Sequence, residues 1–187
     1  MPENLSINEA KILLDNYIKN DKLKKHSLAV AEIMANLAEF LKIPEKEEWY
    51  LIGLLHDLDF ESTKDDPKKH GLITTEILKG KMGEDSINAI KNHNFENLML
   101  FPSKKVDFAL ICSDAISGLI IACMLVMPNK KLEEVTVKTI LQKFKQKDFA
   151  KNISRERILF CEKLGIPLEN FVEISLNALK NISEKLR

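Results

Sequence analysis

Four histidines carry most of the chemistry legible in this 187-residue chain: His26, His56, His70 and His93, with no others. His56 is followed by Asp57 at the end of the apolar run Leu51-Ile52-Gly53-Leu54-Leu55. A further acid, Asp114, lies inside the apolar run Phe108 to Ile116. Imidazole nitrogens and carboxylate oxygens are the preferred ligands of borderline divalent metals. A chain that spends its whole histidine supply beside such acids is expected to bind metal.

Each position also has a plainer explanation. His26 on the apolar stripe of a helix is compatible with a core histidine bonded to a carbonyl. Asp57 at a helix end is compatible with an ordinary polar terminus, but a carboxylate is disfavoured at the negative end of the helix dipole. An ionised Asp114 among apolar neighbours needs a partner or a metal, and no basic residue lies between Val106 and Met127. His70 follows Lys68 and Lys69 and is compatible with a solvated site, whereas His93 follows Ala89 and Ile90 on a helix face that points inward. Taken jointly, metal binding explains all of these positions at once.

Helices must position these groups, because the apolar spacing is helical and no alternating strand is evident. Ser6 and Glu9 form a capping-box pattern ahead of a first helix. A long helix is expected from about Lys22 to Lys42, with His26, Val30, Ile33, Leu37 and Leu41 facing inward. Pro44 is expected to open the next helix, carrying Trp49, Ile52, Leu55 and His56. Glu61 to Asp66 reads as a loop. Pro67 should start a helix holding His70, closed by Gly80. A short helix spans Glu84 to His93, and Ser103 caps a long apolar helix ending at Pro128. Three more helices fill 132–187, with Gly165 and Pro167 between the last two. The expected fold is all-α, one domain over 1–187. Residues 22–127 form its metal-binding core, and 132–187 form a helical extension packed on that core.

Composition narrows the function. The chain is 45% hydrophobic and 30% charged with only 6 Gly and 6 Pro, which suits long packed helices. Lys+Arg and Asp+Glu are both 28, so there is no global charge to favour nucleic acid or an anionic membrane. Cys112, Cys123 and Cys161 are isolated in apolar contexts and read as buried free thiols of a reducing cytosol. Met1-Pro2-Glu3-Asn4 has no signal-peptide character. The apolar stretch from Ala115 to Met127 reads as too short to span a bilayer. A cytoplasmic protein without membrane or stable nucleic-acid partners is therefore expected, its oligomeric state left open.

The order His26, His56-Asp57, Asp114 resembles the HD-domain superfamily of metal-dependent phosphohydrolases. With His70 and His93 inserted, the chain is similar to the six-ligand, two-metal branch, which includes HDIG-labelled proteins and dinucleoside polyphosphate hydrolases. The strings Gly53-Leu54-Leu55-His56-Asp57 and Ala89-Ile90-Lys91-Asn92-His93 carry the likeness, over about Lys22 to Met127. His56-Asp57-Leu58-Asp59 stands where HDIG proteins have His-Asp-Ile-Gly, and the Gly-Tyr-Pro signature of cyclic-di-GMP phosphodiesterases is absent. The resemblance implies that His26, His56, Asp57 and Asp114 hold a first metal and His70 and His93 a second, with Asp57 bridging. It implies hydrolysis of a nucleotide, dinucleotide or other small phosphate ester through a metal-activated water. Mixed His and carboxylate ligation suits iron first, then manganese, cobalt or nickel.

Around these ligands, Asp59 and Glu61 are candidate acceptors for the ligand imidazoles or a proton shuttle, and join His56 and Asp57 as candidate catalytic residues. The stretch from Lys138 to Arg157 is rich in Lys and Arg. Arg155 is its best candidate for gripping a substrate phosphate, followed by Lys151, with Lys104 and Lys105 as further candidates. In a chain this rich in lysine, an ordinary solvated helix face is the plainer explanation of the same stretch. Two other functions fit the ligand order: an HD-type diiron oxygenase, and a non-catalytic, metal-stabilised module that binds a nucleotide or a partner.

Overall fold

A computed structural model describes residues 5–186, so the leaderless reading of Met1 to Asn4 lies outside the described residues. The described residues are all-helical, without a strand. The helices are α1 (Ile7–Tyr17), α2 (Asp21–Phe40), α3 (Lys46–Leu55), α4 (Leu72–Leu78), α5 (Glu84–Asn92), α6 (Phe95–Leu98), α7 (Lys105–Leu125), α8 (Val137–Lys145), α9 (Arg155–Ile158), α10 (Leu168–Asn181) and α11 (Ser183–Leu186). Three 3₁₀ turns, Phe60–Ser62, Leu132–Glu134 and Leu159–Leu164, bend the chain between them.

Two long helices organise the core. The inward stripe of α2 is buried at Val30, Ile33 and Leu37 as its spacing predicts, and it packs on α3, α7 and α10. Helix α7 is apolar on every side, which requires burial on every side. It touches α2, α3, α5, α8, α9 and α10. Its 21 residues fall within the expected span from Ser103 to Pro128, and although the Ala115 to Met127 stretch reads as too short, the whole helix is by length and composition alone long enough to cross a bilayer. Its most apolar window is 61% buried within the bundle, as a core helix demands. All three cysteines are buried and free.

Helix α1 is entered through the expected capping box, in which Ser6 Oγ accepts from Glu9 N and the Glu9 carboxylate accepts from Ser6 N. Other boundaries differ from the sequence reading, each for a local reason. Lys42 adopts a left-handed φ of 57° and ends α2, with Ile43 N–H reaching back to Ala38 O. Pro44 therefore precedes the Glu45 cap of α3 instead of opening the helix. His70 lies in the turn before α4, not inside it. Lys104, not Ser103, caps α7, because the Asp107 carboxylate accepts from both Ser103 N and Lys104 N. The C-terminal third forms four α segments and two 3₁₀ turns where three helices were expected, two of those segments being one turn long.

Gly53 sets how closely α3 approaches α2. A Cβ at this position would stand 2.7 Å from Ala31 Cα and 2.9 Å from the Val30 carbonyl carbon, both backbone atoms that no rotamer change can move. Substitution Gly53→Ala is therefore expected to push α3 outward and destabilise the protein by about 1–3 kcal/mol, the usual cost of overpacking. Chemical denaturation checks this, and an unchanged midpoint would show that the interface is slacker than these distances imply.

Candidate metal centre

The site forms where several helix ends meet. His26 comes from the first turns of α2, and His56 is the C-cap of α3. Asp57 follows it as the chain turns. His70 stands just ahead of α4, and His93 is the C-cap of α5. Asp114 projects from the middle of α7. Leaving a helix at His56 lets two adjacent side chains reach one centre, which helical geometry would prevent.

Asp57 is the hub. Its Oδ1 lies 3.3 Å from His56 Nε2, 3.3 Å from His70 Nε2 and 3.5 Å from His93 Nε2, and its Oδ2 lies 3.7 Å from His26 Nε2. Asp114 Oδ1 is 3.2 Å from His26 Nε2 and 4.0 Å from His56 Nε2. The structure thus brings together all six residues that the sequence singled out. Two subsets, His26–His56–Asp57 and Asp57–His70–His93, have donor atoms close enough to hold an ion each, with Asp57 common to both.

The other ring nitrogen of every histidine is anchored outward. Nδ1 of His56 meets Gly53 O at 2.8 Å, and Nδ1 of His93 meets Ile90 O. Nδ1 of His70 meets Asp59 Oδ1 at 2.8 Å, and Nδ1 of His26 meets Ser117 Oγ at 3.2 Å. Ser117 Oγ donates its own hydrogen to Asp114 O, so it accepts from His26. Each Nδ1 therefore carries the proton, and each Nε2 is free to turn a lone pair inward. His56 Nε2 is fully buried and makes no hydrogen bond despite its proximity to Asp57. His70 Nε2 and His93 Nε2 stand 2.9 Å apart. Lone pairs aimed at one another and at carboxylate oxygens repel unless a cation or proton lies between them, so this donor set fits a divalent metal.

Proton affinities without metal follow the same geometry. Burial disfavours charge on His70, yet Asp57 and Asp59 outweigh it and push its pKa up to about 10. A proton on His70 Nε2 therefore fills the gap toward His93. His26 is raised in the same way, against burial, by Asp114 and Asp57. His56, wholly enclosed, is driven down to about 4 mainly by burial. Asp57 and Asp114 are both pushed down despite their burial, Asp57 chiefly by His56 and Asp114 chiefly by His26.

Among the outer candidates, Asp59 and Glu61 diverge. Asp59 is buried, orients His70 through Oδ1, and accepts from Gly71 N and Thr74 N through Oδ2. Gly71, at φ 83°, can present its N–H there because it has no Cβ; one would lie 3.3 Å from Ile90 O. Glu61 points away and accepts from Lys19 N and Asn20 N, pinning the link between α1 and α2. It is a tether, not an acceptor for an imidazole.

The basic candidates also need correction. Arg155 turns its guanidinium onto the carbonyls of Lys143, Phe144, Gln146, Phe149, Ala150 and Ile153, so it shapes the loop ahead of α9 and does not face the centre. Lys104 pairs with Asp85 at the start of α7, and Lys151 and Lys105 are exposed and line neither the metal cleft nor the groove beside it. The cation at the centre is Arg157, two residues from the favoured candidate. Its Nη2 donates to Asp114 Oδ2 at 3.2 Å and to His93 O at 2.7 Å, and its Nη1 donates to Glu96 Oε2. Asn94, which sequence reasoning passed over, donates to Pro67 O and His70 O and holds the His70 turn against α5. Its position directly after His93 was the available clue.

With this geometry in place, comparison with known families is decisive. The family model of the HD domain matches residues 23–140, well over half of the chain. The chain belongs to the HD domain family. That family is one of metal-dependent phosphohydrolases, and the His/Asp cluster of this HD domain is suited to a divalent ion. No curated protein and no solved structure matches the chain.

Metal binding to this HD domain must displace protons. Because His70 titrates near 10, it is protonated at pH 7 and must lose a proton to ligate, whereas His56, Asp57 and Asp114 are already deprotonated. Calorimetric titration with manganese in buffers of different ionisation enthalpy should show release of about one proton or more per chain at pH 7. Release should shrink as pH rises toward 10. Binding with no proton release would remove His70 from the ligand set.

Proposed function

We propose that this HD domain is a metal-dependent phosphohydrolase holding two divalent ions, and that it acts on a nucleotide or other small phosphate ester. His26, His56, Asp57 and Asp114 hold the first ion, His70 and His93 the second, and Asp57 is shared. The observation that carries the reading is the convergence of four Nε2 atoms on Asp57 while every Nδ1 is anchored outward. Iron is the first candidate, with manganese, cobalt or nickel also suited to this ligation.

Divalent ions in such a setting supply Lewis-acid polarisation of a phosphoryl oxygen and acidification of water. The chain's own residues do the rest. Asp59 and Ser117 fix the His70 and His26 rings. Arg157 holds Asp114 and the end of α5 in place, and among the described residues lining the cleft it presents the one guanidinium. Leu23 and Phe60 supply the apolar side chains among the residues that line the cleft.

Metal analysis by inductively coupled plasma mass spectrometry, on wild type and His93→Ala, tests the two-ion arrangement. The expected result is about two ions per chain falling to about one. One ion in both proteins would remove the second site. Wild type should release phosphate from simple esters in a metal-dependent manner, and Asp57→Ala should lower that rate by more than about 10³-fold, since it removes a ligand common to both ions. Metal-loaded wild type with no turnover of any phosphate ester would leave a binding module in place of an enzyme.

A further inference from the structure

Beside the metal centre lies a second groove that the reading above leaves unused. The metal cleft has a volume of about 410 Å³ and the groove about 490 Å³, and His26, Asp114 and Arg157 line both. The groove's own walls come from Glu96 and Asn97, from Gly118 on α7, and from Asn152 and Ile153 in the loop ahead of α9. Arg155 fastens that loop through six backbone carbonyls, so the wall is built into the fold and need not form on binding.

Charge and shape select what fits. Among the residues lining either space, Arg157 is the one Lys or Arg, and Asp114 and Glu96 already pair with it. Two divalent ions over Asp57, Asp59 and Asp114, with Arg157 offset by Glu96, leave a surplus of about one positive charge. One phosphate group is enough to take up that surplus, and a longer phosphate chain would run into a groove whose remaining charge is the Glu96 carboxylate. Asn97 and Asn152 offer amide donors and acceptors suited to hydroxyl groups. Gly118 has no side chain, and a Cβ there would already approach Ile153 Cδ1 to 3.1 Å, so these residues make a thin apolar strip for the face of a ring.

We infer that this groove receives the organic part of a phosphomonoester, an uncharged hydroxyl-bearing group of sugar or nucleoside size, and that it disfavours di- and triphosphate chains. The inference rests on the proposed function for placing the phosphate at the metal centre.

The test is equilibrium binding to the manganese-loaded full chain by calorimetry. The probes are inorganic phosphate, the methylenephosphonate analogues of ribose 5-phosphate and adenosine 5′-monophosphate, and α,β-methylene adenosine diphosphate. The adenosine monophosphate analogue is expected to bind at least about tenfold tighter than both inorganic phosphate and the diphosphate analogue. Equal binding of the ribose analogue would identify the sugar as the group held, and weaker binding would add the base. Gly118→Leu, whose side chain must push Ile153 into the groove, should abolish the advantage over inorganic phosphate while the affinity for inorganic phosphate holds. Asn152→Lys, at an exposed loop position, should narrow the preference for monophosphate over diphosphate. A diphosphate analogue that binds as tightly as the monophosphate in wild type overturns the inference, as does a Gly118→Leu protein with undiminished preference for the monophosphate analogue over inorganic phosphate. Selective binding without turnover of adenosine 5′-monophosphate itself would sink the phosphohydrolase reading and leave the groove standing. Turnover of esters with no preference for monophosphate would do the reverse.

Discussion

The rest of the structure depends on keeping the Asp57 carboxylate ionised in the interior. A buried carboxylate is costly unless positive charge or donors surround it. Here four imidazoles from four separate places in the chain close on it. That demand explains why the helices end where they do. Helix α3 stops at His56 so that His56 and Asp57 face one point, α5 stops at His93, and α4 starts only after His70. The close contact of α3 with α2 at Gly53 brings His56 within reach of His26, their ring centroids 5.4 Å apart.

The outward anchors make the same demand from the other side. An imidazole can turn a lone pair inward only if its second nitrogen has somewhere to put a proton. Two anchors are carbonyls one helical turn back, Gly53 O for His56 and Ile90 O for His93, so the helix ends themselves supply them. Asp59 does more. By accepting from Gly71 N and Thr74 N it satisfies backbone donors that the start of α4 would otherwise leave open, and it turns His70 at the same time. Helix formation and ring orientation are here one interaction, and loss of either partner would disturb the other.

The part of this site that shows in the sequence is the part that violates patterning. His56, Asp57 and Asp114 stand in or at the end of apolar runs, and His26 and His93 fall on inward helix faces by spacing, so these five stand out from one chain alone. The core stripe of α2 was legible for the complementary reason, since helical spacing buries Val30, Ile33 and Leu37 fully and leaves His26 and Leu41, at the two ends of the stripe, half-buried. What failed was choice among like residues. Between Lys138 and Arg157 the many cations look alike, and only the folded loop tells Arg155, bound to carbonyls, from Arg157, bound to Asp114. Asp59 and Glu61 looked equivalent for the same reason, and their separation comes from a turn whose direction no local pattern records. Boundaries moved where a side chain or a left-handed residue outcompeted a generic signal, as with Asp107 over Ser103 and Lys42 over Pro44.

Arg157 also changes how the final third of the chain is to be understood. It lies beyond residue 140, where the match to the HD family ends, yet its guanidinium spans the two halves of the centre. One nitrogen donates both to the carbonyl that closes α5 and to Asp114 on α7, so the distance between His93 and Asp114 is set by a residue outside both helices. A cation at the carbonyl end of α5 is favoured by that helix's dipole, and a cation beside Asp114 offsets a carboxylate in an apolar helix that carries no basic residue after Lys105 in its first turn. The contact of α9 and the Leu159–Leu164 turn with α7 holds that guanidinium in register. The C-terminal segment is thus a working wall of the metal centre, and the electrostatic deficit created by Asp114 on α7 gives the physical reason for it to pack there.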